Sequence, residues 1–514
     1  MLFRSLAASL NALLEHVDRG DFDPKQLEPV ARSLISFDPT HQDAWNALLR
    51  ALAKMGDREQ ALREYQRCKQ TLWDAVRIKP LRETEQLYQS IRAQVPPTSM
   101  PRTAHAPPVL LRTAEATRHS PNRHRLRVCV LGFREIDCKP EKGLGLSLSH
   151  QIAAGLARFR WFDVIGPTSL RRDRSTDEQH EFAKLDYVVE GTISGSGRQL
   201  QINVRLLDWA GQAQPIWSEQ FDIALSHLHR LDELVTTRIV GRIDPVILHI
   251  EGQPKRRENY GATGLLLLAI PLTFSMERQQ YEEAGRLIQQ ALAMEPDNAR
   301  VEAWAAHWHL FYGGQGWAKD FDKTNERAEH HALRAITLDS ENAEALGIYA
   351  HCCSRIASDF DRALVFFDRA LRLNPSLAFN WALSACTYSY VGEPDVALQR
   401  LQRYRALAPP DLYFSWFETL YTIAYTFKGD YERAVLVGRR AVEANPDLVN
   451  GYKPLIASLG HLRWREEAQS YVRKLLSLEP DFTVEKFRLT YPIKKMSDRD
   501  RYMEGLRLAG IAER

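Results

Sequence analysis

Histidines and glutamates cluster in the second half of the chain, and both residue types can bind metal ions. The cluster members are Glu326, Glu329, His330 and His331, with His307 and His309 earlier in the chain. Glu326 and His330 are four residues apart, as two metal ligands on one helix must be. His330 and His331 are adjacent, however, so their side chains diverge on a helix, and no further ligands converge with them. We therefore expect no metal site.

Sequence motifs of the common enzyme classes are absent. No G-x-x-x-x-G-K-[ST], G-x-G-x-x-G, G-x-S-x-G or H-E-x-x-H pattern occurs, which argues against the usual phosphate, hydrolase and zinc chemistry. Gly143 and Gly145 precede a predicted helix, but the third glycine, lysine and hydroxyl of a phosphate loop are missing. A nucleotide cyclase needs paired aspartates on a hairpin, and the predicted hairpin offers only Asp208. We predict no enzyme, no catalytic residue and no cofactor.

Aromatic residues are dense in the second half of the chain and recur at helical spacing. We expect most of them to fill the core between helices, since apolar residues at this spacing form a buried stripe. The core candidates are Trp304, Trp308, Phe311, Tyr312, Trp317, Phe414, Trp416 and Phe417. Other rings can line a concave groove and anchor a peptide there. The candidate peptide-groove residues are Tyr388, Tyr390, Tyr421 and Tyr425.

Prolines mark the ends of successive helical segments in the same region. They are Pro296, Pro375, Pro409, Pro446 and Pro480, and the last four are spaced by 34, 37 and 34 residues. This period is typical of stacked helix–turn–helix units, which recruit partners. Asp339 and Ser340 mark a unit without its proline, and residues 317–325 indicate an insertion. The pattern predicts an α-solenoid over residues 258–514.

The first 93 residues also have a helical pattern. Leu2, Leu6, Leu10, Leu13 and Leu14 predict an amphipathic first helix rather than a signal peptide. An apolar stripe then precedes a turn at Gly56 and Asp57, and its residues are Ala44, Leu48, Leu49, Leu52 and Met55. A facing helix follows with Ala61, Tyr65, Cys68 and Leu72, and a further helix follows Pro80. We predict a helical-repeat domain over residues 1–93.

Residues 94–124 are rich in proline and arginine and have no periodicity, which predicts an extended linker. Its arginines are Arg102, Arg112, Arg118 and Arg123, Arg125 follows directly, and Glu115 is the only acid among them. Such a stretch is typical of a solvated tether, although it could also contact nucleic acid.

Residues 125–250 change from helical to alternating periodicity. A short apolar strand around Val128 is followed by a helix face that includes Leu146 and Ile152, and residues 162–167 return to strand character. Two alternating runs flank a Gly-Ser-Gly turn at residues 195–197, which predicts a hairpin. Residues 214–222 give a further strand and residues 228–243 a closing helix. This is the pattern of a compact α/β domain.

Composition is that of an ordinary globular protein of several domains. The 514 residues include 68 Lys and Arg and 65 Asp and Glu, so the net charge does not indicate nucleic acid. The apolar run at residues 264–272 contains a proline and is too short to cross a membrane. The cysteines have no C-x-x-C spacing, so we expect buried thiols in a reducing, cytoplasmic compartment. They are Cys68, Cys129, Cys138, Cys352, Cys353 and Cys386.

The stretch from Gly56 to Tyr88 resembles the carboxy-terminal half of the bacterial transcriptional activator domain found in regulators of the Streptomyces antibiotic regulatory protein type. The residues that carry the resemblance are Gly56, Ala61, Tyr65, Cys68, Leu72, Ile78-Lys79-Pro80-Leu81-Arg82-Glu83-Thr84, Leu87 and Tyr88. The resemblance implies a helical repeat that follows a winged-helix DNA-binding domain in those regulators. A winged helix needs roughly 90 residues of α/β pattern, and this chain starts inside the helical part.

The middle region is similar to the TolB amino-terminal-like domain of bacterial signalling proteins. The similar segments are residues 130–133, 156–159, 186–193, 205–208 and 216–222. In that family the domain lies between an output module, a class III cyclase or a winged helix, and tetratricopeptide repeats. The third region resembles those repeats, including its ending at residues 502–510.

Together these observations predict a multidomain α + α/β protein. Its parts are a bacterial transcriptional activator-like domain (1–93), the linker (94–124), a TolB amino-terminal-like α/β domain (125–250) and a tetratricopeptide α-solenoid (258–514). We expect a non-enzymatic, cytoplasmic regulator that acts in transcription or signalling, as a scaffold whose repeats bind a protein or peptide. We expect no membrane association and leave homo-oligomerisation open. The alternatives are a DNA-binding activator whose winged helix lies upstream and a cyclase-related signalling protein without its catalytic domain.

Overall fold

The computed structural model describes residues 24–37, 42–76, 80, 82–92, 125–136, 143–167, 185–196, 199–210, 213–226, 231, 235–253, 261–408 and 414–514. The chain divides into two compact units, Met1–Pro121 and Asn122–Arg514. The predicted first helix, the whole predicted linker, Cys138 and Pro409 lie outside the described residues.

Four helices make up the described part of the first unit. They are Pro24–Phe37 (α1), Gln42–Lys54 (α2), Arg58–Val76 (α3) and Arg82–Arg92 (α4). The predicted apolar stripe of α2 is buried except at Met55, which lies just past the end of the helix and is exposed. Gly56 follows it with φ 82, a left-handed conformation that glycine adopts at little steric cost. The turn therefore lies where the sequence predicts it.

Polar and aromatic contacts join α1, α3 and α4. The buried Glu64 carboxylate accepts a hydrogen bond from Arg32 at 2.7 Å. The Tyr65 and Tyr88 rings stack with their centroids 4.0 Å apart, and the Tyr65 hydroxyl donates to Glu85. The two tyrosines that carry part of the activator-domain resemblance thus hold one helix against the next.

A six-stranded sheet opens the second unit. Its strands are Leu126–Val130 (β1), Arg134–Ile136 (β2), Phe162–Ile165 (β3), Tyr187–Ser196 (β4), Gln199–Asp208 (β5) and Gln214–Ala224 (β6). The order is β3-β1-β4-β5-β6, with β2 beside β4. Strand β1 is parallel to β3 and β4, whereas β4, β5 and β6 are antiparallel. The sequence predicts each strand except β2, whose three side chains are exposed and give no apolar signal.

Two helices, Leu144–Ala157 (α5) and Thr237–Glu251 (α6), pack with this sheet. The predicted end of the closing helix at Ile243 is wrong, because α6 continues to Glu251 and carries Pro245 in its interior. An interior proline costs about 3 kcal/mol in a free helix. Helix α6 tolerates it because it is packed on two sides, with Val240 against Gly155 of α5 and Gly241 against the repeats.

Helix pairs fill most of the rest of the unit. The pairs are Ala262–Ser275 and Arg278–Met294 (α7, α8), Ala299–Gly314 and Phe321–Leu338 (α9, α10), Ala343–Arg355 and Phe360–Leu373 (α11, α12), Ala378–Tyr390 and Pro394–Leu407 (α13, α14), Phe414–Lys428 and Tyr431–Ala444 (α15, α16), and Val449–His461 and Arg465–Leu478 (α17, α18). Capping side chains start several of them. Asn342, for example, accepts a hydrogen bond from the Ala345 amide.

Pro296, Pro375 and Pro446 of the predicted series lie in the turns between pairs. Pro375 lies three residues before Ala378, the first residue of α13, and Pro446 lies three residues before Val449. Ser340 has the same place before Ala343, so this unit keeps its turn without proline. A proline at such a site stops the preceding helix because it supplies no amide hydrogen.

The residues predicted as an insertion, 317–325, cover the end of the loop after α9 and the first turn of α10. Helix α9 has 16 residues and α10 has 18, against 13 and 14 in the pair α11 and α12. The extra length therefore extends both helices as well as the connecting loop, where Gly316 has φ 73.

The carboxy-terminal segment folds back over the last pair. It forms Val484–Thr490 (α19) and Met496–Ala509 (α20). A Cβ atom at Gly460 of α17 would lie only 1.9 Å from the Gly505 carbonyl oxygen of α20, so glycine allows this crossing. The Val484 amide donates to the Ala512 carbonyl at 2.9 Å, which ties down the end of the chain.

The structure confirms a mostly helical protein with a small sheet. The division of the chain into the four ranges given above stays a prediction. No helix within the described ranges combines the length and apolar character that crossing a membrane requires.

Candidate functional site

The first helices of successive pairs pack against one another in order and form one continuous face, which we call the first-helix face. Aromatic rings fill its centre. Phe274 of α7 lies 5.7 Å from Trp416 of α15, and Trp304 stacks on Phe379 at 5.6 Å, measured between ring centroids. These contacts join helices that are far apart in sequence. The first helices of several pairs therefore share one aromatic core.

Where α9 and α11 of this face meet lies a group of charged and aromatic side chains that contact one another, which we call the docking seam. Arg300 donates from Nε to Glu344 Oε2 at 2.6 Å, and the Trp304 indole donates to Glu344 Oε1 at 3.0 Å. The Arg300 guanidinium lies 4.6 Å from the centre of the Trp161 ring. Trp161 belongs to the α/β module, by which we mean the sheet β1–β6 with helices α5 and α6. The Trp161 indole donates to Asp244 Oδ1 of α6 at 2.9 Å. Two tryptophans thus connect the α/β module to the repeats.

Helix α6 contacts the repeats closely at the same seam. A Cβ atom at Gly241 would lie 2.9 Å from the Ser376 carbonyl oxygen and 3.2 Å from Leu407 Cβ. A small cavity of about 60 Å³ remains beside Asp244. Burial raises the pKa of Asp244 to about 7, with Arg300 acting in the opposite direction and Glu344 in the same direction.

Farther along the first-helix face lies a second cavity, of about 40 Å³, which we call the arginine cavity. Arg355 donates from Nη1 to the Tyr390 hydroxyl at 3.0 Å. Its guanidinium carbon lies 5.7 Å and 5.4 Å from the ring centres of Tyr390 and Tyr491. Tyr491 in turn donates to Asn450 Oδ1 at 3.0 Å. His351, one helical turn before Arg355, is buried and its Nδ1 has no hydrogen-bond partner.

A buried lysine lies near this cavity. The Lys453 ammonium is 2.9 Å from Glu479 Oε2 and 4.8 Å from the Phe482 ring centre. Lys486 also pairs with Glu479, at 2.8 Å. Burial lowers the pKa of Lys453, while Glu479 acts to raise it. Lys486 also pairs with Asp481, at 2.8 Å, so the two ammonium groups are matched by two carboxylates.

The four predicted peptide-groove tyrosines lie in different surroundings. Tyr390 lines the arginine cavity. Tyr388, Tyr421 and Tyr425 instead lie beside arginine guanidinium groups of the second helices, which are 4.5, 4.7 and 6.0 Å from their ring centres. The structure therefore does not bring the four rings together at one cavity, and their role in peptide binding stays a prediction.

The histidines do not converge. His307 is fully buried among aromatic rings, and burial lowers its pKa to about 3. His309 stacks on His331 with ring centroids 5.5 Å apart, and His331 Nδ1 lies 2.6 Å from Glu302. Among the residues that the structure describes, no group of three or more His, Cys, Asp or Glu side chains could hold a metal ion.

The described cysteines are free and buried, and they are Cys68, Cys129, Cys352, Cys353 and Cys386. Burial raises the pKa of the Cys68 and Cys129 thiols to about 12. Of the predicted core rings, Trp304, Trp416 and Phe417 are buried as expected. The others that the structure describes are half-buried, and they are Trp308, Phe311, Tyr312 and Trp317. The side chain of Phe414 lies outside the described residues.

Sequence reasoning did not single out Arg300, Glu344, Asp244 or Arg355. A weak signal existed, since Arg300 with Trp304 and His351 with Arg355 are each four residues apart, and such pairs share one face of a helix. Nothing in a single sequence distinguishes these arginines from the many exposed ones.

Comparison with known proteins gives one family match, in the first unit. Residues 4–92 match the family model described as bacterial transcriptional activator domain. This covers less than half of the chain. It agrees with the resemblance that the residues from Gly56 to Tyr88 carry.

One curated relative matches the sequence over part of its length. It is a putative adenylate cyclase 3 of Rhizobium meliloti, 24% identical over 186 residues, which are 34% of this chain and 31% of the relative. The chain therefore spans about a third of that protein's length.

Among solved structures, a tetratricopeptide repeat protein of Thermus thermophilus is 18% identical, with a TM-score of 0.31. It covers 39% of this chain and 99% of its own. The APC/C hetero-tetramer Cut9-Hcn1 covers 96% of this chain and 85% of its own, at 12% identity and a TM-score of 0.40. At these TM-scores the likeness does not establish a shared overall fold.

Proposed function

We propose that this chain is a non-enzymatic bacterial regulatory protein that binds a protein partner through its helical repeats. The docking seam is the observation that carries the proposal. There the α/β module contacts the repeats directly. Trp161, whose indole donates to Asp244, lies against Arg300 of the first-helix face. Gly241 packs against Ser376 and Leu407. A partner that binds this face therefore competes with, or rearranges, the docked module.

The mechanism follows from the size of such contacts. Interfaces between domains of one chain are commonly small and polar, so a bound partner can shift their arrangement. A second contact between the α/β module and the repeats is an ion pair, from Arg160 to Asp339 at 2.7 Å. The α/β module is then the element that reports partner binding. Its kinship with the TolB amino-terminal-like domain and its scaffolding role belong to this proposal.

The activator-domain match supports transcription as the regulated process, with the cytoplasm as its compartment. The test is affinity capture from the host with three tagged forms: the full chain, residues 1–121 and residues 122–514. We expect residues 122–514 to recover the partners of the full chain and residues 1–121 to miss them. Recovery of the same proteins by residues 1–121 would contradict the proposal.

Whether partner binding changes the arrangement of the α/β module at the docking seam can be measured separately. Hydrogen exchange of helix α6 is measured with and without a captured partner. We expect exchange in residues 237–251 to change on binding, because the partner displaces or clamps this helix. If exchange changes elsewhere in the repeats but not in this helix, the partner binds without affecting the α/β module, and the proposed role of the module is wrong.

Direct DNA binding is a second candidate, and the activator-domain match favours it. It predicts an affinity for duplex DNA that falls steeply with salt as phosphate contacts release counterions. A mobility-shift assay at low salt decides it, and negligible binding there would end it. The similarity to a protein named as a cyclase is tested by ATP turnover with Mg²⁺ or Mn²⁺, where we expect none.

A further inference from the structure

The arginine cavity contains a cation without a counter-ion. No carboxylate of the described residues lies within 4.0 Å of the Arg355 guanidinium, whereas Arg300 on the same face pairs with Glu344. Arg355 is half-buried, and its one hydrogen-bond partner is the neutral Tyr390 hydroxyl. A guanidinium has five N–H donors in a planar fork that matches the two oxygens of a carboxylate. Most of these donors are therefore available to a ligand.

A buried histidine of the same cavity also lacks a hydrogen-bond partner. His351 is 3% exposed, lines the cavity and has an unpartnered Nδ1. Buried polar atoms are normally hydrogen-bonded, and an unpaired one commonly indicates a missing partner. Burial and the nearby Arg355 charge both hold the pKa of His351 well below its ordinary value, so the imidazole is neutral at pH 7. A neutral imidazole can donate one hydrogen bond to an anion beside the arginine.

The remaining walls are apolar and define the body of the ligand. Phe311, Trp416, Leu420 and Ile423 line the cavity, and Tyr491 of the folded-back segment lines it as well. The volume of about 40 Å³ is space for about three water molecules. This size suits a short acid and is too small for a stretch of peptide chain.

We infer that the arginine cavity binds a short-chain organic carboxylate, with Arg355 as its ion-pair partner and His351 as a hydrogen-bond donor. The acid would lie at the centre of the first-helix face, between α11, α13, α15 and the carboxy-terminal segment. The site stands on its own geometry, so it remains whether or not the repeats bind a protein partner.

The test uses the full chain and propionate as the probe. Thermal unfolding is followed in sodium propionate and in propionamide with equimolar sodium chloride, which keeps size and ionic strength equal. We expect propionate alone to raise the unfolding temperature in a concentration-dependent way, because a ligand that binds the native state stabilises it. Equal shifts in both solutions, or no shift in either, would overturn the inference.

Variants locate the effect. Arg355→Met should abolish the propionate shift, and the matched exposed variant Arg473→Met should retain it. Arg355→Lys keeps the charge without the fork and should weaken binding by about tenfold or more. Tyr390→Phe keeps the ring and frees a donor, so its shift should be at least as large as in the original chain. A propionate shift that survives Arg355→Met would place the site elsewhere and refute the assignment.

A size series separates the free acid from a peptide end. Acetate, propionate and an N-acetylated tripeptide with a free carboxyl end are compared by calorimetric titration. We expect the two short acids to bind and the tripeptide to show no heat. Tighter binding by the tripeptide, lost when its end is amidated, would replace the short acid with a peptide terminus and refute the proposed occupant.

Discussion

Two arginines on the same first-helix face have opposite surroundings. Arg300 lies at the docking seam, where Glu344 pairs with it and Trp161 of another module covers it. Arg355 lies at the arginine cavity, where two tyrosine rings cover it and no described carboxylate pairs with it. The repeats thus supply the counter-ion of one arginine themselves and leave that of the other to be provided from outside.

This difference distinguishes an arginine that stabilises the fold, Arg300, from one that we propose binds a ligand, Arg355. A buried ion pair helps to hold two modules in one arrangement, and removing one partner leaves the other as an uncompensated buried charge. Removing a guanidinium that has no carboxylate partner leaves no such charge behind. Removing either arginine should therefore have different consequences for folding, and the predictions below measure that difference.

The largest effect is expected for Arg300→Met. This substitution leaves the Glu344 carboxylate, whose side chain is 14% exposed, without its cation. We expect a loss of about 3 kcal/mol in the free energy of unfolding, measured by urea denaturation. The matched variant Arg278→Met breaks an exposed pair with Glu282 and should cost no more than about 0.5 kcal/mol. Equal losses in both would mean that the seam is not a buried pair in solution.

Gly241→Leu attacks the same seam through packing. Even a Cβ atom would press on the Ser376 carbonyl at 2.9 Å, so α6 must move away from the repeats. We expect a loss of about 2 kcal/mol together with faster hydrogen exchange in residues 237–251. Gly132→Leu is the control, because a Cβ atom there meets nothing within 4 Å. Unchanged exchange in α6 would show that the helix does not depend on this contact.

Arg355→Met should cost much less than Arg300→Met. It removes a hydrogen bond to Tyr390 and two ring contacts but strands no carboxylate. We expect a change of no more than about 1 kcal/mol in the free energy of unfolding. A loss as large as that of Arg300→Met would mean that Arg355 has a structural partner, and it would remove the distinction between the two sites.

A pH dependence of the seam is expected as well. Burial raises the pKa of Asp244 to about 7, above its value in the unfolded chain, so the native state favours the protonated carboxyl. Stability from this group is therefore greatest at low pH and is lost as the pH rises through about 7. The charged groups around it are Arg300 and Glu344.

Asp244→Asn isolates this dependence, because asparagine keeps the hydrogen bond from Trp161 and cannot ionise. Between about pH 5.5 and 8.5, the unfolding temperature of the original chain should fall relative to that of the variant. Parallel curves for the two chains would show that Asp244 does not titrate in this range.

Much of the fold could be predicted because it rests on local patterns. The turn at Gly56, the hairpin of β4 and β5 and the proline-marked turns at Pro375 and Pro446 each depend on nearby residues. The errors fall where tertiary packing outweighs the local signal. Helix α6 continues past Pro245 because two neighbouring elements pack against it, and β2 escaped notice because its side chains are exposed.

The candidate site was less predictable. Tyr390 was expected to line a groove and does line the arginine cavity, whereas Tyr388, Tyr421 and Tyr425 lie beside arginines of the second helices. All four share the residue type and helical context on which the prediction was based. Which ring faces a cavity depends on the superhelical path of the repeats, which local periodicity does not encode.

Residue type and short-range spacing were enough to predict the period of the repeats, five of the six strands and the absence of common catalytic motifs. Long-range packing was needed to show that Glu344 meets Arg300, that Trp161 and Asp244 join this pair from another module, and that Arg355 meets no described carboxylate. These residues are tens to hundreds of positions apart, and long-range packing alone decides which charges become neighbours.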